Sequence, residues 1–304
     1  MKKDFLTIRD MTSKELAKTL TLAASIKKSP KKYTKALKGK GLAMIFEKPS
    51  LRTRVTFDVG IHQLGGFSVV LLPTEINLGK RESVHDVTKN LERMVDGIMI
   101  RTFAHTIVED MARYAKIPII NALTDYSHPC QALADFLTLK EAKGKLKGLK
   151  LCYIGDGNNV AHSLMFAGAR LGVHVTIACP DGFDPNPVAL KQAQADAKAT
   201  GARIEVVRDP ATGVKNADAV YTDVWASMGQ ESETEKRKAI FADYQVNAAL
   251  MRKAKNHAIF LHCLPAHRGD EVTDEVMDSK ASLVFQQAEN RLHAQKAVMV
   301  QLMG

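Results

Sequence analysis

Leu149-Lys150-Leu151-Cys152-Tyr153-Ile154-Gly155-Asp156-Gly157-Asn158-Asn159-Val160 reads as a buried strand, a glycine turn and the opening of a helix. An apolar run of strand length that passes through glycines into a helical pattern is one βα unit of a parallel sheet. The same alternation extends in both directions. Apolar, strand-like runs are predicted at residues 173–178, 204–207, 219–222, 258–261 and 283–285 after this unit, and at 41–46, 67–72, 97–100 and 117–120 before it. Helix-length stretches separate them, so the expected class is α/β, with parallel sheets flanked by helices. Glycine and lysine crowd residues 143–148, which read as a junction near the midpoint. The expected division is therefore 1–145 and 146–287, with a helix over 288–304 packing back onto the first domain.

Composition fits a globular enzyme. The chain has 304 residues, 45% hydrophobic and 25% charged, about twice a common domain length. No apolar run approaches the roughly 20 residues that cross a bilayer, and Met1-Lys2-Lys3-Asp4 has no signal-peptide core. Cys130, Cys152, Cys179 and Cys263 form no CxxC pair. The expectation is a reduced, cytoplasmic protein without a membrane partner. Its formal charge of +10 is uneven: residues 1–40 hold eleven lysines and Arg9 against Asp4, Asp10 and Glu15. Leu16, Leu20, Ala23 and Ala24 recur there at helical spacing with lysines between them, which is the pattern of a solvated helical face. Only Phe5 and Tyr33 lie near, so the aromatic interleaving of a single-strand nucleic-acid binder is missing.

In open α/β sheets ligands bind beyond the carboxyl ends of strands, and several such loops carry chemistry. Lys48-Pro49-Ser50-Leu51-Arg52-Thr53-Arg54 follows the first strand. Ser50 suits a helix cap, and hydroxyls, arginines and open N–H groups suit a phosphate; a capped helix with solvated arginines fits the same residues. His128-Pro129-Cys130-Gln131 opens another helix, with Pro129 at its first position. An imidazole can donate to a carbonyl oxygen, and a glutamine amide can read an NH2 group. Asp223 and Ser227-Met228-Gly229 follow the strand at 219–222, and His262-Cys263-Leu264-Pro265 follows the strand at 258–261. A carboxylate and a hydroxyl there suit an ammonium group, with a cysteine beside them. Gly155-Asp156-Gly157 lacks the third glycine of a dinucleotide fingerprint, since Val160 stands there. Asn158 or Asn159 can bind a carboxylate instead. His128, Cys130, His262 and Cys263 include zinc-ligating types, but their adjacencies make four convergent ligands awkward, and no metal or cofactor is expected.

Ser50-Leu51-Arg52-Thr53, His128-Pro129-Cys130-Gln131, Asp223 with Ser227-Met228-Gly229, His262-Cys263-Leu264-Pro265 and Ala288-Glu289-Asn290-Arg291-Leu292 resemble, in this order, the motifs of the ornithine carbamoyltransferases. The resemblance covers essentially the whole chain. It implies a carbamoyl-phosphate domain followed by an ornithine domain, commonly in trimers with sites near subunit interfaces. It implies a reaction that gives citrulline and phosphate, in arginine biosynthesis. By the same resemblance carbamoyl phosphate lies on Ser50, Leu51, Arg52, Thr53, Asn77, Arg101, His128, Pro129, Cys130, Gln131, Cys263, Leu264 and Arg291. Ornithine lies on Asn159, Asp223, Ser227 and Met228, and Arg101, His128, Asp223 and Cys263 carry the catalysis. Leu51 stands where the family motif commonly has Thr, and Asn77 where many relatives have Gln or His before a Leu/Ile-Gly step. The rival acceptors, putrescine and N-acetylornithine, lack respectively the α-carboxylate and the free α-amine that this set of residues suits.

Overall fold

The computed structural model describes residues 2–226 and 231–304. Two compact units form, Met1–Leu137 with Glu289–Gly304, and Thr138–Ala288. The first holds a parallel sheet of β1 (Gly41–Phe46), β2 (Phe67–Leu71), β3 (Gly97–Arg101) and β4 (Ile119–Leu123), in the order β2-β1-β3-β4. The second holds β5 (Lys150–Ile154), β6 (His174–Ala178), β7 (Ile204–Val207), β8 (Ala219–Thr222) and β9 (Ile259–His262), in the order β7-β6-β5-β8-β9. Around the first sheet lie α1 (Ser13–Lys28), α2 (Leu51–Gln63), α3 (Pro73–Ile76), α4 (Val84–Leu91) and α5 (His105–Tyr114). Helix α6 (Pro129–Lys143) contains the division at 137/138. The second unit continues with α7 (Asn159–Leu171), α8 (Pro187–Ala197), α9 (Pro210–Val214), α10 (Thr234–Phe241), α11 (Ala248–Met251) and α12 (Asp274–Met277). The final helix, α13 (Val284–Met303), contains the division at 288/289.

Each sheet reverses its strand order once, and the reversal decides where ligands can sit. β1 lies between β2 and β3, so the loops after β1 and β3 diverge and leave a crevice at their carboxyl ends. Register places Phe46, Arg101 and Leu123 in one row there. In the second sheet the reversal falls between β5 and β8, where Ile154, Thr222 and, on β9, His262 share a row.

Burial explains why these runs are strands. Every residue of β1, β3 and β4 is buried, with Ala43, Ile45, Ile98 and Ile100 packing against Val108 and Met111 of α5. A strand covered on both faces needs the unbroken apolar run seen in the sequence. β2 is the edge and is only partly covered. In α1, Leu16, Leu20, Ala23 and Ile26 face inward while Lys14, Lys18 and Lys28 are exposed. Thr12 and Glu15 cap its start reciprocally.

One predicted strand is corrected. Residues 283–285 do not form a strand of their own. Ser282 makes a single bridge to Phe260, with Phe260 N–H donating to Ala281 and Leu283 N–H donating to Phe260. The chain then turns helical at Val284, four residues before the expected start. Phe285 is 71% exposed, so the apolar triplet does not mark a buried edge. Residues 289–304 belong to the first unit, where Lys296 Nζ donates to Gln63 and Thr19 Oγ1 to Gln301.

Candidate active site

In the first unit Ser50 caps α2, its Oγ accepting the Thr53 N–H at 3.1 Å. The cap satisfies one first-turn donor and leaves the positive end of the helix toward the crevice. Leu51 points its side chain to solvent, so its place in the motif is a matter of backbone alone. Arg101 ends β3 and is buried, and His128 precedes Pro129 at the first position of α6 and is buried too. A chain of hydrogen bonds ties three helices together at this point. Arg291 of α13 donates through Nη2 to Thr53 Oγ1 at 3.1 Å and through Nη1 to Gln131 Oε1 at 2.7 Å. Gln131 Nε2 in turn donates to Asp135 Oδ1 at 2.7 Å.

The field in this crevice is positive. Burial and then the guanidiniums of Arg291, Arg101 and Arg52 hold the His128 imidazolium form well below its ordinary pKa. His128 is therefore a neutral ring that can donate one N–H to a developing oxyanion without itself carrying charge. Cys130 is different. It is fully buried, its thiol faces the Asn121 carbonyl at 3.5 Å, and burial pushes its pKa up to about 12. Its side chain is a core group, so only its backbone is left for a ligand. Lys48, buried beside the Ser50 loop, is taken up by Asp125 at 2.5 Å and the Phe103 ring. Asn77 is exposed at the end of α3, in the left-handed region at φ 42°, and its side chain makes no hydrogen bond among the described residues.

In the second unit the loops after β5, β8 and β9 meet on Asp223, which is buried. Its Oδ1 accepts the Cys263 thiol and the Val224 N–H, each at 2.9 Å, and its Oδ2 accepts Asn158 Nδ2 at 3.0 Å. Asn158 also caps α7 through Oδ1, to the N–H groups of Val160 and Ala161. Asn159 is the first residue of α7, half-buried beside it. Tyr153 lies beneath, and burial followed by the neighbouring Asp223 and Asp156 charges raises its phenol well above its ordinary value. It remains neutral and donates to Asn158 Oδ1 at 3.3 Å. Gly157 makes the loop possible, since a Cβ there would lie 2.2 Å from the Pro185 backbone nitrogen. Ser227 and Met228 lie outside the described residues.

Two domain models of one family match this chain end to end. The carbamoyl-P binding domain of aspartate/ornithine carbamoyltransferase matches residues 3–141, and its Asp/Orn binding domain matches residues 147–302. The chain belongs to the aspartate/ornithine carbamoyltransferase family. Among its relatives is an ornithine carbamoyltransferase of Thermococcus kodakarensis, 54% identical over 304 residues, covering 99% of this chain and 96% of the relative. Another is the anabolic ornithine carbamoyltransferase of Pyrococcus furiosus, 51% identical with 99% and 96% covered. The solved structure of the ornithine carbamoyltransferase from Pyrococcus furiosus superposes with a TM-score of 0.96 at 51% identity, covering 99% of this chain and 97% of that one.

Within this family member, two site features, Asp135 and Arg237, escaped the sequence reading. Asp135 orients Gln131, and an acid four residues along one helix was its only signal. Asn158, one of the two asparagines suited to a carboxylate, donates to the carboxylate of Asp223. Arg237 donates to Asp156 Oδ2 at 2.7 Å, to the Trp225 carbonyl at 2.9 Å and to Glu233 at 2.8 Å, which pins the loop after β8 to the loop after β5. No motif announced it. Asp223, His262 and Cys263 form the one metal-like cluster among the described residues, with ligand atoms within 4.8 Å. Both His262 ring nitrogens already have partners, Leu264 N–H and Glu271, so metal binding there would break the support of the Cys263 loop.

Proposed function

We propose that this protein transfers the carbamoyl group of carbamoyl phosphate to the δ-amine of L-ornithine, giving L-citrulline and phosphate, with no metal or cofactor. The observation that carries the reading is the Cys263 thiol on the Asp223 carboxylate, at the strand ends where an amino acid is to be held. Support for the anion comes from the other unit, where a capped helix start and three arginines surround a neutral imidazole.

In this reading the first unit binds carbamoyl phosphate and the second binds ornithine. The phosphate rests on Ser50, the Leu51 N–H, Arg52, Thr53 and Arg101, with Arg291 as a further contact. Thr53, Arg101 and His128 polarise the carbamoyl oxygen, the largest catalytic contribution in such a transfer. The Gln131 oxygen and the Cys263–Leu264 backbone accept from the carbamoyl NH2 group, and Pro129 and Cys130 hold that loop in place. Asn159 takes the ornithine carboxylate. Asp223, with Ser227 and the Met228 backbone, fixes the α-amino end. An ammonium has no lone pair, so the δ-amine loses one proton to solvent before it attacks the carbonyl carbon, and a second N–H proton passes to the departing phosphate as its C–O bond breaks. Cys263, paired with Asp223, favours the neutral amine.

The acceptor follows from charge. A free α-ammonium matches Asp223, whereas an acetylated nitrogen is neutral and putrescine offers nothing to Asn159. A panel of ornithine, N-acetylornithine and putrescine with carbamoyl phosphate tests this, and citrulline formation at a rate well above the other two products is the expected result. Equal or faster use of either alternative would overturn the ornithine assignment.

Arginine biosynthesis in the cytoplasm is the proposed setting. No helix among the described residues is long and apolar enough to cross a membrane, and none of the four cysteines is in a disulfide. The proposed assembly is a homotrimer or a multiple of it. Leu51, Val55 and Val59 recur every four residues on α2 and are 74%, 48% and 38% exposed, and Phe67 and Val69 of the edge strand β2 are also exposed. Such an apolar stripe in a monomer would be left to water, and copies of the chain are its natural cover. Residue 77 would then serve the site of an adjacent copy.

A further inference from the structure

Below the Cys263 loop, a histidine and a glutamate make contacts that the proposed reaction does not use. His262 ends β9 at 1% exposure, and Glu271 is completely buried. The Leu264 N–H donates to His262 Nδ1 at 2.8 Å. An amide nitrogen only donates, so Nδ1 is the unprotonated nitrogen and the ring proton of the neutral form sits on Nε2. There it meets Glu271 Oε1 at 3.1 Å, an oxygen that also accepts the His267 N–H at 2.6 Å. The His262 backbone is held as well, its N–H donating to Gln287 Oε1 at 2.9 Å, with Gln287 Nε2 donating to the Tyr221 hydroxyl at 3.1 Å.

What this arrangement fixes is Leu264. Its φ of 59° lies in the left-handed region, which a leucine enters only when its surroundings hold it there. The bond to His262 is such a hold. With its N–H committed, Leu264 can offer a ligand only its carbonyl, an acceptor. The same turn directs the preceding residue, Cys263, so that its thiol reaches Asp223 at 2.9 Å.

We propose that His262 and Glu271 are positioning residues for carbamoyl transfer: Glu271 holds His262 as the Nε2–H tautomer, and Nδ1 of that tautomer fixes the Leu264 backbone and aims Cys263. The proposal rests on the reading of Cys263 and Leu264 given above. Glu271 touches neither substrate. Its action runs through the imbalance between the two ring nitrogens, which a neighbouring carboxylate sets.

The ranking of substitutions separates this role from simple packing. His262→Asn keeps an acceptor near the Nδ1 position, whereas His262→Phe keeps the ring volume and loses the acceptor. The proposal expects kcat for citrulline formation to fall about 100-fold in His262→Phe, and less in His262→Asn, as loss of alignment does. A packing role predicts the reverse order. Likewise Glu271→Gln, which retains an acceptor for Nε2–H, should stay within about threefold, while Glu271→Leu should fall at least about tenfold. Kd for inorganic phosphate should be unchanged in all four. Because a variant can fail to fold, the unaltered protein is tested too, by nitrogen-15 spectra of its histidines. A coupling across the hydrogen bond from the Leu264 N–H to an unprotonated imidazole nitrogen is expected. A protonated Nδ1 at His262, or His262→Phe equalling or exceeding His262→Asn, would overturn the pair's role. Failure of the unaltered protein to form citrulline would instead overturn the underlying reading.

Discussion

Cys263 Sγ lies 2.9 Å from Asp223 Oδ1 and donates to it, so the thiol proton is shared with a buried carboxylate. The pair joins β9 to β8 at the carboxyl end of the sheet, and Asn158 joins β5 to the same carboxylate. Three adjacent strands thereby converge on one acid. A ligand ammonium placed here would find one negative charge, already oriented by three donors, and would need no rearrangement to meet it.

Cys263→Ala removes one of those donors and the sulfur proposed to face the δ-amine. Carbamoyl-phosphate affinity should hold, while kcat/KM for ornithine falls about 10- to 100-fold. The dependence of kcat/KM on pH should shift as well, because the group proposed to bias the amine toward its neutral form is gone. Steady-state citrulline assays across pH check this. An unchanged ornithine profile would remove Cys263 from the mechanism.

His128 leads to a prediction about both rate and stability. Replacing it by Gln, whose amide N–H reaches a different point, should reduce kcat about 10- to 100-fold, less than the full loss of one oxyanion donor. The stability effect follows from the depressed pKa. Below the ordinary value of 6.5 the unfolded chain binds a proton that the folded chain refuses. The contribution of His128 is therefore intact above pH 6.5 and is lost as pH falls toward its folded value. His105, His174 and His293 are depressed too, each chiefly by burial, so the comparison is a difference. Between pH 7.5 and 5.5 the His128→Gln protein should lose less thermal midpoint than the unaltered one.

These two residues also show what a sequence can reveal. The positions of His128 and Asp223 follow from a general rule, because strand ends in a parallel sheet are where loops diverge; the apolar run before Asp223 ends with its strand, and the one before His128 stops three residues short of the end of β4. β3 was placed at 97–100 and runs to Arg101. What stayed hidden depends on contacts distant in sequence. Asp135 acquires its role only because Arg291, 156 positions later, meets Gln131 from the other side. Arg237 is an unremarkable basic residue in a charged stretch until Asp156 and the Trp225 carbonyl lie against it. The misread strand at 283–285 has the same origin, since one bridge to Phe260 does not distinguish itself from a strand by composition.

Asp135→Leu tests the buried chain in the first unit. Without Asp135 only Arg291 holds the Gln131 amide, whose NH2 group then has no partner on the Asp135 side and whose position loosens. The KM for carbamoyl phosphate should rise about tenfold, with a smaller change in the KM for ornithine. Asp135→Asn, which keeps an acceptor for Gln131, should restore most of the loss. Initial rates with each substrate varied in turn measure both.

The apolar stripe on α2 and β2 gives a prediction about assembly. Val55→Asp puts a charge into a surface that neighbouring copies are proposed to cover, and burying an unpaired charge is strongly unfavourable. The unaltered protein should elute with the light-scattering mass of a trimer or its multiple, about 100 kDa or more for a 33.4 kDa chain. The variant should shift toward the single chain and lose turnover with it. A monomeric unaltered protein of full activity would reject the proposed assembly.

Gly157→Ala separates folding from ligand binding in the second unit. Its new Cβ would stand 2.2 Å from Pro185 N and 2.4 Å from the Asp184 carbonyl carbon. Both are backbone atoms, so neither can swing aside as a long side chain would. One of the two loops must move, and overpacking of this kind costs about 1 to 3 kcal/mol. The shift falls on the residue next to Asn158, which holds Asp223 in place through Nδ2 and caps α7 through Oδ1. The denaturant midpoint should therefore drop, and the KM for ornithine should rise about tenfold while that for carbamoyl phosphate stays near its original value. A protein that lost stability yet kept its ornithine KM would mean that loop 184–185 yields, and that the geometry around Asp223 is sturdier than the Asn158 contact implies.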